Sequence, residues 1–200
     1  MNDETDGVRS SNGRLSLALV HYPCVDRNDR LYTTSITNLD VHDIARTCRT
    51  YGLSRYYLVH PISAQREMAQ SIATFWQEGK GKERNPDRHQ AIELVAVAES
   101  IDEVIRQETE LASERPLQIA TTARLVDNAW SFSRVREAIS SSRDVILWMG
   151  TGHGLAPEVL QQSDGVMEPV LGVPDYNHLS VRSAAAIILD RLCGNRPSIS

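Results

Sequence analysis

Short apolar runs alternate along the chain with longer stretches in which apolar residues recur every three or four positions. The short runs predict buried β-strands, and the longer period predicts amphipathic helices. The predicted strands are Leu15–Tyr22, Arg55–His60, Ile92–Val97, Leu117–Thr121, Asp144–Met149 and Val166–Val170. The predicted helices are Asp40–Tyr51, Ala64–Gln77, Ile101–Ala112, Ser133–Ser140, Ala156–Gln162 and Ser180–Leu192. This alternation indicates an α/β fold with helices on both faces of a mostly parallel sheet.

Residues at the ends of these elements support several boundaries. Gly52 ends the first predicted helix, and Ser100 with Glu103 has the spacing of a capping box before the third. A further hairpin or strand is predicted near Leu31. In sheets of this kind ligands bind outside the carboxyl ends of the strands. Four segments are candidates for that position: YTTSITNLD (32–40), TTAR (121–124), GTGHG (150–154) and LGVPDYNH (171–178).

The last predicted helix, Ser180–Leu192, has little polar surface. One face is formed by Val181, Ala184, Ala185, Ile188, Leu189 and Leu192, whereas Ala186 and Ile187 are apolar on another side. Such a helix must be buried by two neighbours, either within the domain or across a subunit boundary. Its start carries a cluster of hydrogen-bonding side chains, namely Tyr176, Asn177, His178, Ser180 and Ser183. Because unsatisfied N–H groups point outward at a helix start, this end is a candidate ligand site.

The composition predicts one globular domain. The 200 residues are enough to bury a core, and 41% hydrophobic with 24% charged content is ordinary. No apolar run approaches the ~20 residues that span a bilayer, and the polar start is typical of neither a secretory signal nor a transit peptide. We therefore expect a tail at 1–13, one domain at 14–196 and a second tail at 197–200. Three scattered cysteines favour a reduced, cytoplasmic protein.

The net charge of −5 argues against coating nucleic acid by bulk electrostatics but permits a local basic patch. One such patch, WQEGKGKERNPDRHQ, contains Lys80, Lys82, Arg84 and Arg88 beside Trp76. Its glycines and proline predict a mobile surface loop suited to phosphate contacts, with the indole as a stacking ring. A loop that is merely solvated is the alternative.

The glycine-rich segment WMGTGHGLAPEV follows a buried strand and opens a helix. Gly150, Gly152 and Gly154 would let the backbone approach a ligand closely. Their G-x-G-x-G spacing and late position differ from the G-x-G-x-x-G fingerprint of dinucleotide folds, so NAD binding is disfavoured but stays open. No nucleophile elbow, phosphate-binding loop, paired cysteines or HExxH is present, and the six histidines are dispersed, so we expect no metal site.

The segment TNLDVHDIARTCRTYG places charged and titratable residues on one predicted helix. His42 and Arg46 lie one turn apart, and Asp43 lies three residues before Arg46. On these residues alone, an ordinary surface ion pair is the simpler interpretation.

Taken together, these segments resemble the SPOUT class of RNA methyltransferases, which are knotted α/β enzymes that use S-adenosylmethionine. The pattern N…DIARTCRTYGLSRYYLV is similar to the first motif of the ribose-methylating branch, VILWMGTGHGLAPEV to the second and YNHLSVRSAAAIILDRL to the third. With the blocks LVHYP and TTAR, the resemblance covers Leu15 to Gly194 and is to a compact family of predicted bacterial RNA methyltransferases.

The resemblance implies a C-terminal trefoil knot, a homodimer, and three loops that enclose S-adenosylmethionine. The implied cofactor-binding residues are Thr121, Thr122, Ala123, Gly150, Thr151, Gly152, Gly154, Leu155, Leu171, Gly172, Tyr176, Asn177, His178, Leu179, Ser180 and Ser183. Arg46 falls at the arginine of the first motif and is the implied catalytic residue, together with Asn38, His42 and Asp43. We assign contact with the RNA, tRNA or rRNA, to Lys80, Lys82, Arg84 and Arg88.

Two departures from the ribose-methylating pattern keep the target atom open. Asp43–Ile44 replaces an Asn–Ile pair, and His178 lies between Asn177 and Leu179. Transfer to a ribose hydroxyl and transfer to a base nitrogen are both compatible with the motifs, and the identity of the general base is open. Two alternative functions are a non-catalytic RNA-binding or assembly factor that keeps the knotted fold, and an NAD-dependent oxidoreductase.

Overall fold

A computed structural model describes residues 13–78 and 80–194. The predicted tails at 1–13 and 197–200 lie outside these residues except for Gly13, whose N–H donates to the carbonyl oxygen of Ile139 at 2.8 Å. The next residue, Arg14, donates its backbone N–H to Oδ1 of Asp144 at 2.7 Å. Gly13 and Arg14 are therefore both hydrogen-bonded to the rest of the domain.

Six parallel strands form one sheet in the order β5–β4–β1–β7–β6–β8. They are β1 (Leu15–Val20), β4 (Arg55–Val59), β5 (Val95–Ala98), β6 (Leu117–Ala120), β7 (Val145–Gly150) and β8 (Gly165–Val166). The parallel sheet predicted from the alternating pattern is confirmed. Two short strands, β2 (Cys24–Val25) and β3 (Leu31–Tyr32), form an antiparallel hairpin where a further hairpin was predicted.

The described helices connect these strands and match the predicted ones closely. They are α1 (Asn38–Thr50), α2 (Ser63–Gln77), α3 (Lys80–Arg84), α4 (Pro86–Ile92), α5 (Ile101–Ala112), α6 (Phe132–Ser140), α7 (Pro157–Gln162) and α8 (Val181–Cys193). Ser100 caps α5 by accepting the N–H of Glu103 at 3.2 Å, as its spacing predicted. Gly52 follows the last turn of α1 with φ +72°, a conformation that glycine adopts without strain.

The expectation of a mobile loop around the basic patch is wrong. The segment forms the short helices α3 and α4 instead, and Ile92 belongs to α4 rather than to the next strand. The side chain of Asn85 accepts the N–H of Arg88 at 3.0 Å and caps α4, and Pro86 takes the first helical position, where its missing N–H costs no hydrogen bond.

Helices cover both faces of the sheet, as the alternating pattern predicted. Leu17, Leu19 and Leu58 pack on one face against the apolar sides of α1 and α8. Ala18 and Val20 pack on the other face with residues of α5 and α7. All six positions of β1 are buried, the polar Ser16 among them, so the central strand is covered on both faces rather than on one.

The chain after α7 passes between β6 and Trp130, which belongs to the connection that follows β6. Val166 pairs with Ala120 of β6 on one side, and on the other side Trp130 exchanges hydrogen bonds with Val166 and Glu168 at 2.8 and 2.9 Å. Residues 165–168 are therefore bounded by β6 and by the connection that leaves it. Such placement is what threading through that connection requires, and the trefoil knot stays a prediction.

Candidate functional site

A cleft of about 760 Å³ opens at the carboxyl edge of the sheet. From β1 the chain continues to β4 and β5 on one side of the sheet, whereas β7, β6 and β8 lie on the other side of β1. The strand order therefore reverses between β1 and β7, and crevices at such points are where open α/β sheets bind ligands. We call this space the cleft. Its described lining comes from the segments 34–40, 121–124, 149–154 and 170–188.

The cleft brings together most of the predicted cofactor-binding residues. Those that line it are Thr121, Thr122, Ala123, Gly150, Thr151, Gly152, Gly154, Tyr176, Asn177, His178, Leu179 and Ser180. Leu155, Leu171, Gly172 and Ser183 lie outside the lining. Leu155 is buried in the core and Leu171 is 63% exposed, while Gly172 and Ser183 donate backbone N–H groups to Asn177 and Ser180. Gly172 and Ser183 therefore hold residues of the cleft in place without lining the cleft themselves.

Asn177 holds two of the lining segments together. Its side-chain oxygen accepts the N–H of Gly172 at 2.9 Å, and its side-chain nitrogen donates to the carbonyl oxygen of Ala123 at 3.1 Å. The segment that leaves β6 is thereby tied to the segment before α8. Tyr176 beside it is 65% exposed and makes an edge contact with His178.

The glycine-rich segment 150–154 needs its glycines because the backbone of this loop packs closely against itself. A Cβ on Gly150 would lie 2.5 Å from the nitrogen of Leu155 and 2.7 Å from the carbonyl carbon of Gly154. Gly152 and Gly154 have φ of +63° and +114°. The backbone folds back on itself here, and the space beside Gly154 is open on the side where a Cβ would stand.

The opposite wall of the cleft is polar and is formed by none of the predicted cofactor-binding residues. It is formed by Thr34, Ser35, Thr37, Asp40 and Arg182. The segment 32–40 is one of the four positions predicted from the sequence, whereas Arg182 was not predicted to lie here. An arginine in the first turn of a helix that then runs apolar from Ala184 to Leu189 is the signal that could have found it.

Asp40 and Arg182 form an ion pair across this wall. Nη1 of Arg182 donates to Oδ1 of Asp40 at 2.8 Å, and the hydroxyl of Thr37 donates to Oδ2 at 2.6 Å. The carboxylate is 7% exposed, and these two partners satisfy its oxygens in a nearly dry position. A more distant contact of 3.6 Å joins Arg182 to Asp43.

The predicted catalytic residues lie in a separate groove. Asn38, His42, Asp43 and Arg46 line a space of about 590 Å³ with residues of α2 and with Arg88 of α4, which we call the groove. None of the four is among the described residues that line the cleft. Asn38, His42 and Arg46 follow one another at four-residue spacing on α1, whereas Asp40 lies on the buried face of the same helix.

Aromatic and basic side chains meet in the groove. The guanidinium of Arg88 lies 4.6 Å from the centre of the Trp76 ring. The ring of His42 meets Trp76 edge-on, with 5.6 Å between the two ring centres. Burial lowers the pKa of His42, and the nearby charge of Arg88 lowers it further. Phe75 next to them is 55% exposed. Lys82 and Arg84 are exposed on α3, while the Lys80 side chain lies outside what the structure describes.

The described ranges contain neither a membrane-spanning helix nor a cluster of metal-binding side chains. Within residues 13–78 and 80–194, no helix is both long and apolar enough to cross a membrane. Over the same ranges, histidine, cysteine and acidic side chains do not gather in groups of three or more that could hold a metal ion.

The sheet order and the cleft over its carboxyl edge define an α/β fold of the SPOUT methyltransferase class. The SpoU methyltransferase AviRb from Streptomyces viridochromogenes, solved in complex with the cofactor AdoMet, is similar with a TM-score of 0.57. The match has 15% identity and covers 96% of this chain and 62% of that one. At this identity the likeness bears on the fold alone.

The sequence defines the family. A model of SAM-dependent RNA methyltransferases matches residues 14–194, and the chain belongs to this family. The family is one of RNA methyltransferases that depend on S-adenosylmethionine, as the resemblance of the motifs implied.

Two relatives show how far the family likeness extends. An uncharacterized protein of Aquifex aeolicus (strain VF5) is 42% identical over 182 residues, which are 90% of this chain and 89% of that protein. A tRNA (guanine-N(1)-)-methyltransferase of Oleidesulfovibrio alaskensis is 43% identical over 192 residues, which are 96% of this chain but 44% of that protein. The chain thus spans less than half the length of this relative, whose name does not say which part carries its activity.

Proposed function

We propose that the cleft holds S-adenosylmethionine against the segments 121–124, 150–154 and 171–180, and that RNA reaches it across the start of α1. The observation that carries the proposal is the convergence of these three segments on one cleft, with Asn177 joining two of them. Its volume of about 760 Å³ is within the range of roughly 300–1,000 Å³ for small-molecule sites.

The side chains of the cleft suit the chemistry of this cofactor. Tyr176 and Leu179 expose apolar surface for an adenine ring, and Thr122 and Ser180 offer hydroxyls for its polar groups. The bound cofactor supplies an electrophilic methyl carbon. The chain's own task is to hold the attacking atom of the RNA in line with that carbon, at about 3 Å.

A thermal-shift experiment with S-adenosylmethionine, S-adenosylhomocysteine and NAD tests the cofactor assignment. A ligand at a hundred times its dissociation constant stabilises the folded state by about 2.7 kcal/mol. We expect a shift with both sulfur compounds and none with NAD. Binding of NAD alone would indicate the oxidoreductase. No shift with any compound would favour the non-catalytic RNA-binding factor.

The groove is the proposed path of the RNA. It combines Arg46 and Arg88 with the rings of Phe75 and Trp76, and cations with exposed rings are what single-stranded RNA contacts through phosphates and bases. The exposed Lys82 and Arg84 of α3 extend the basic surface beyond the groove.

Salt dependence separates phosphate contacts from other effects. Replacing Lys80, Lys82 and Arg84 with serine should weaken the binding of bulk tRNA. It should also reduce the slope of the logarithm of the binding constant against the logarithm of salt concentration, because fewer counterions are released. Arg106→Ser, on the exposed side of α5, is the matched control and should leave both unchanged. An unchanged slope in the triple variant would remove α3 from the RNA interface.

The proposed assembly is a homodimer. Ala186 and Ile187 of α8 remain half-buried in the protomer, although an apolar helix surface is normally covered. Analytical ultracentrifugation at micromolar concentration should give a dimer, and Ile187→Glu should shift it toward the monomer. Leu111→Glu on α5, where the leucine is 48% exposed, is the control that should leave the mass unchanged. A wild-type monomer would contradict this part of the proposal.

The substrate is proposed to be tRNA or rRNA in the cytoplasm, where the free cysteines Cys24, Cys48 and Cys193 stay reduced. The name of the Oleidesulfovibrio alaskensis relative makes tRNA the first RNA to test. Comparing methylated nucleosides in tRNA and rRNA from strains with and without this protein would identify the RNA and decide between a ribose hydroxyl and a base nitrogen.

A further inference from the structure

All three hydrogen-bonding groups of Thr34 are held by two buried histidines and by Thr151. The Thr34 N–H donates to the carbonyl oxygen of His21 at 3.2 Å, and its carbonyl oxygen accepts from Nε2 of His60 at 3.0 Å. Its hydroxyl contacts Nδ1 of His21 at 2.9 Å and the hydroxyl of Thr151. His21 and His60 directly follow β1 and β4 and are 0% and 1% exposed. Thr34 is thereby fixed to the carboxyl ends of two central strands.

The direction of these hydrogen bonds follows from their backbone partners. Nδ1 of His60 accepts a backbone N–H at 3.1 Å, so its Nε2 carries the proton that Thr34 accepts. Thr151 donates its hydroxyl to the carbonyl oxygen of Val20 at 3.2 Å. The Thr34 hydroxyl then donates to Thr151, and Nδ1–H of His21 donates to Thr34. In this arrangement one lone pair of the Thr34 oxygen remains for an N–H or O–H donor in the cleft.

Thr34 touches the proposed cofactor segments at Thr151, whose hydroxyl is also held by the carbonyl oxygen of Val20. The two histidine partners of Thr34 are not part of those segments. Two of these segments follow β6 and β7, whereas the histidines that hold Thr34 follow β1 and β4 on the other side of the strand-order reversal. Ser35 and Thr37 line the same wall of the cleft, and α1 with the groove begins directly after them. RNA that leaves the groove across the start of α1 therefore meets this wall first.

We propose that Thr34 contacts the RNA nucleotide that accepts the methyl group, and that His21 and His60 are positioning residues that hold Thr34 in place. The inference rests on the proposed function of the cleft. The recognised group is a donor N–H or O–H at or beside the attacking atom of that nucleotide, which Thr34 orients without taking its proton. Burial lowers the pKa of both imidazoles, that of His21 to about 4, so both rings are neutral near pH 7 and act through position.

Thr34→Val and Thr34→Ser test the contact with little change in shape. Valine keeps both backbone hydrogen bonds of residue 34 and removes the hydroxyl, whereas serine keeps the hydroxyl. Each variant is assayed with radiolabelled S-adenosylmethionine and bulk tRNA and rRNA from a strain that lacks this protein, and its cofactor affinity is measured by calorimetry. The matched control is Thr109→Val on α5, where the hydroxyl donates to the carbonyl oxygen of Ile105.

We expect Thr34→Val to lower kcat about tenfold, the value of one hydrogen bond, with an unchanged dissociation constant for S-adenosylmethionine. Thr34→Ser, which keeps the hydroxyl, should recover most of the rate that Thr34→Val loses. Thr109→Val should keep the wild-type rate. His60→Leu should lower kcat in the same way, and His60→Gln, which keeps a donor for the carbonyl of Thr34, should recover part of it.

Two outcomes would overturn the inference alone, and a third would overturn it together with the proposed function. If Thr34→Val transfers methyl groups with wild-type kcat and KM, Thr34 does not contact the acceptor. If it weakens cofactor binding as much as it lowers the rate, Thr34 belongs to the cofactor side of the cleft. If the wild-type chain itself methylates neither RNA, the proposed function is wrong and the inference is lost with it.

Discussion

Arg182, in the first turn of α8, donates to the buried carboxylate of Asp40, in the first turn of α1, with 2.8 Å between Nη1 and Oδ1. The two residues are separated by 142 positions along the chain. Asp40 faces the cleft, and the neighbouring Asp43, which also contacts Arg182, faces the groove. This ion pair therefore fixes the boundary between the two spaces, at the point where RNA in the groove would approach the cofactor.

Arg182→Gln should destabilise the fold because it leaves the carboxylate of Asp40 with the Thr37 hydroxyl as its remaining side-chain partner at this wall. The Arg182 side chain is one-third exposed. We therefore expect the free energy of unfolding to fall by about 1–3 kcal/mol, which is less than the loss at a fully buried pair. Asp40→Asn in the Arg182→Gln background should recover part of this. Urea unfolding of the two single variants and the double variant gives the coupling energy. A coupling energy of zero would mean that the pair does not hold the boundary.

Much of the fold was predictable because its signals are local. Continuous apolar runs and helical spacing predicted the six parallel strands and six of the helices within a few residues. The helices α3 and α4 were missed because glycine and proline were taken as marks of a loop. The sequence Asn85-Pro86-Asp87 is equally a helix start, with a cap, a proline in the first turn and an acidic residue next.

The candidate site was predictable in parts but not in its arrangement. Residues after β6, after β7 and before α8 were predicted to meet, and they line the cleft. The predicted catalytic residues of α1 lie in the groove instead, since the buried side of that helix carries Val41, Ile44 and Asp40 and turns His42 and Arg46 outward. Arg182 was missed because its partner Asp40 is distant in sequence and only the folded chain brings them together.

Acid should destabilise the protein through His21. Burial lowers its pKa to about 4, with a further lowering by His60 and an opposing effect of Asp40. The unfolded chain therefore binds a proton that the folded chain does not between about pH 6.5 and pH 4, and stability falls as the pH falls through this window. The loss is on the order of 3 kcal/mol when complete. Urea unfolding from pH 7 to pH 4 measures it.

His21→Gln should flatten this acid dependence, while His153→Gln, at an exposed position, should preserve it. His60 contributes in the same direction because burial also lowers its pKa. An identical slope in wild-type protein and His21→Gln would show that His21 is not the source.

Gly150→Ala should disrupt the glycine-rich segment. The added Cβ would meet backbone atoms of Leu155 and Gly154 at 2.5 and 2.7 Å, and backbone cannot yield as the end of a side chain can. We expect a loss of about 1–3 kcal/mol in stability and a large loss of affinity for S-adenosylmethionine in calorimetry.

Gly52→Ala is the matched glycine control. Gly52 has φ +72° and open space beside it, so alanine there should cost about 1 kcal/mol through its backbone conformation. It lies at the far end of α1 and should leave cofactor affinity unchanged. If Gly150→Ala also bound the cofactor with wild-type affinity, segment 150–154 would not hold it.

Arg46→Ala should separate methyl transfer from cofactor binding. Arg46 is exposed on α1 and lines the groove rather than the cleft, so its loss should change neither the fold nor the affinity for S-adenosylmethionine. A guanidinium is a poor base and a good bidentate partner for phosphate. We therefore expect Arg46 to hold a phosphate of the RNA and thereby align the acceptor nucleotide. Misalignment of the reacting atoms costs roughly a hundredfold in rate.

Lysine at position 46 should recover little of the rate, because a point charge lacks the planar fork of the guanidinium. Arg49→Ala is the matched control, since Arg49 is exposed in the last turn of the same helix and is not part of the described groove lining. The measurements are methyl incorporation into tRNA and rRNA beside calorimetry with the cofactor. A wild-type rate in Arg46→Ala would reduce Arg46 to a surface residue, and the role implied by the ribose-methylating motif would then not apply to this chain.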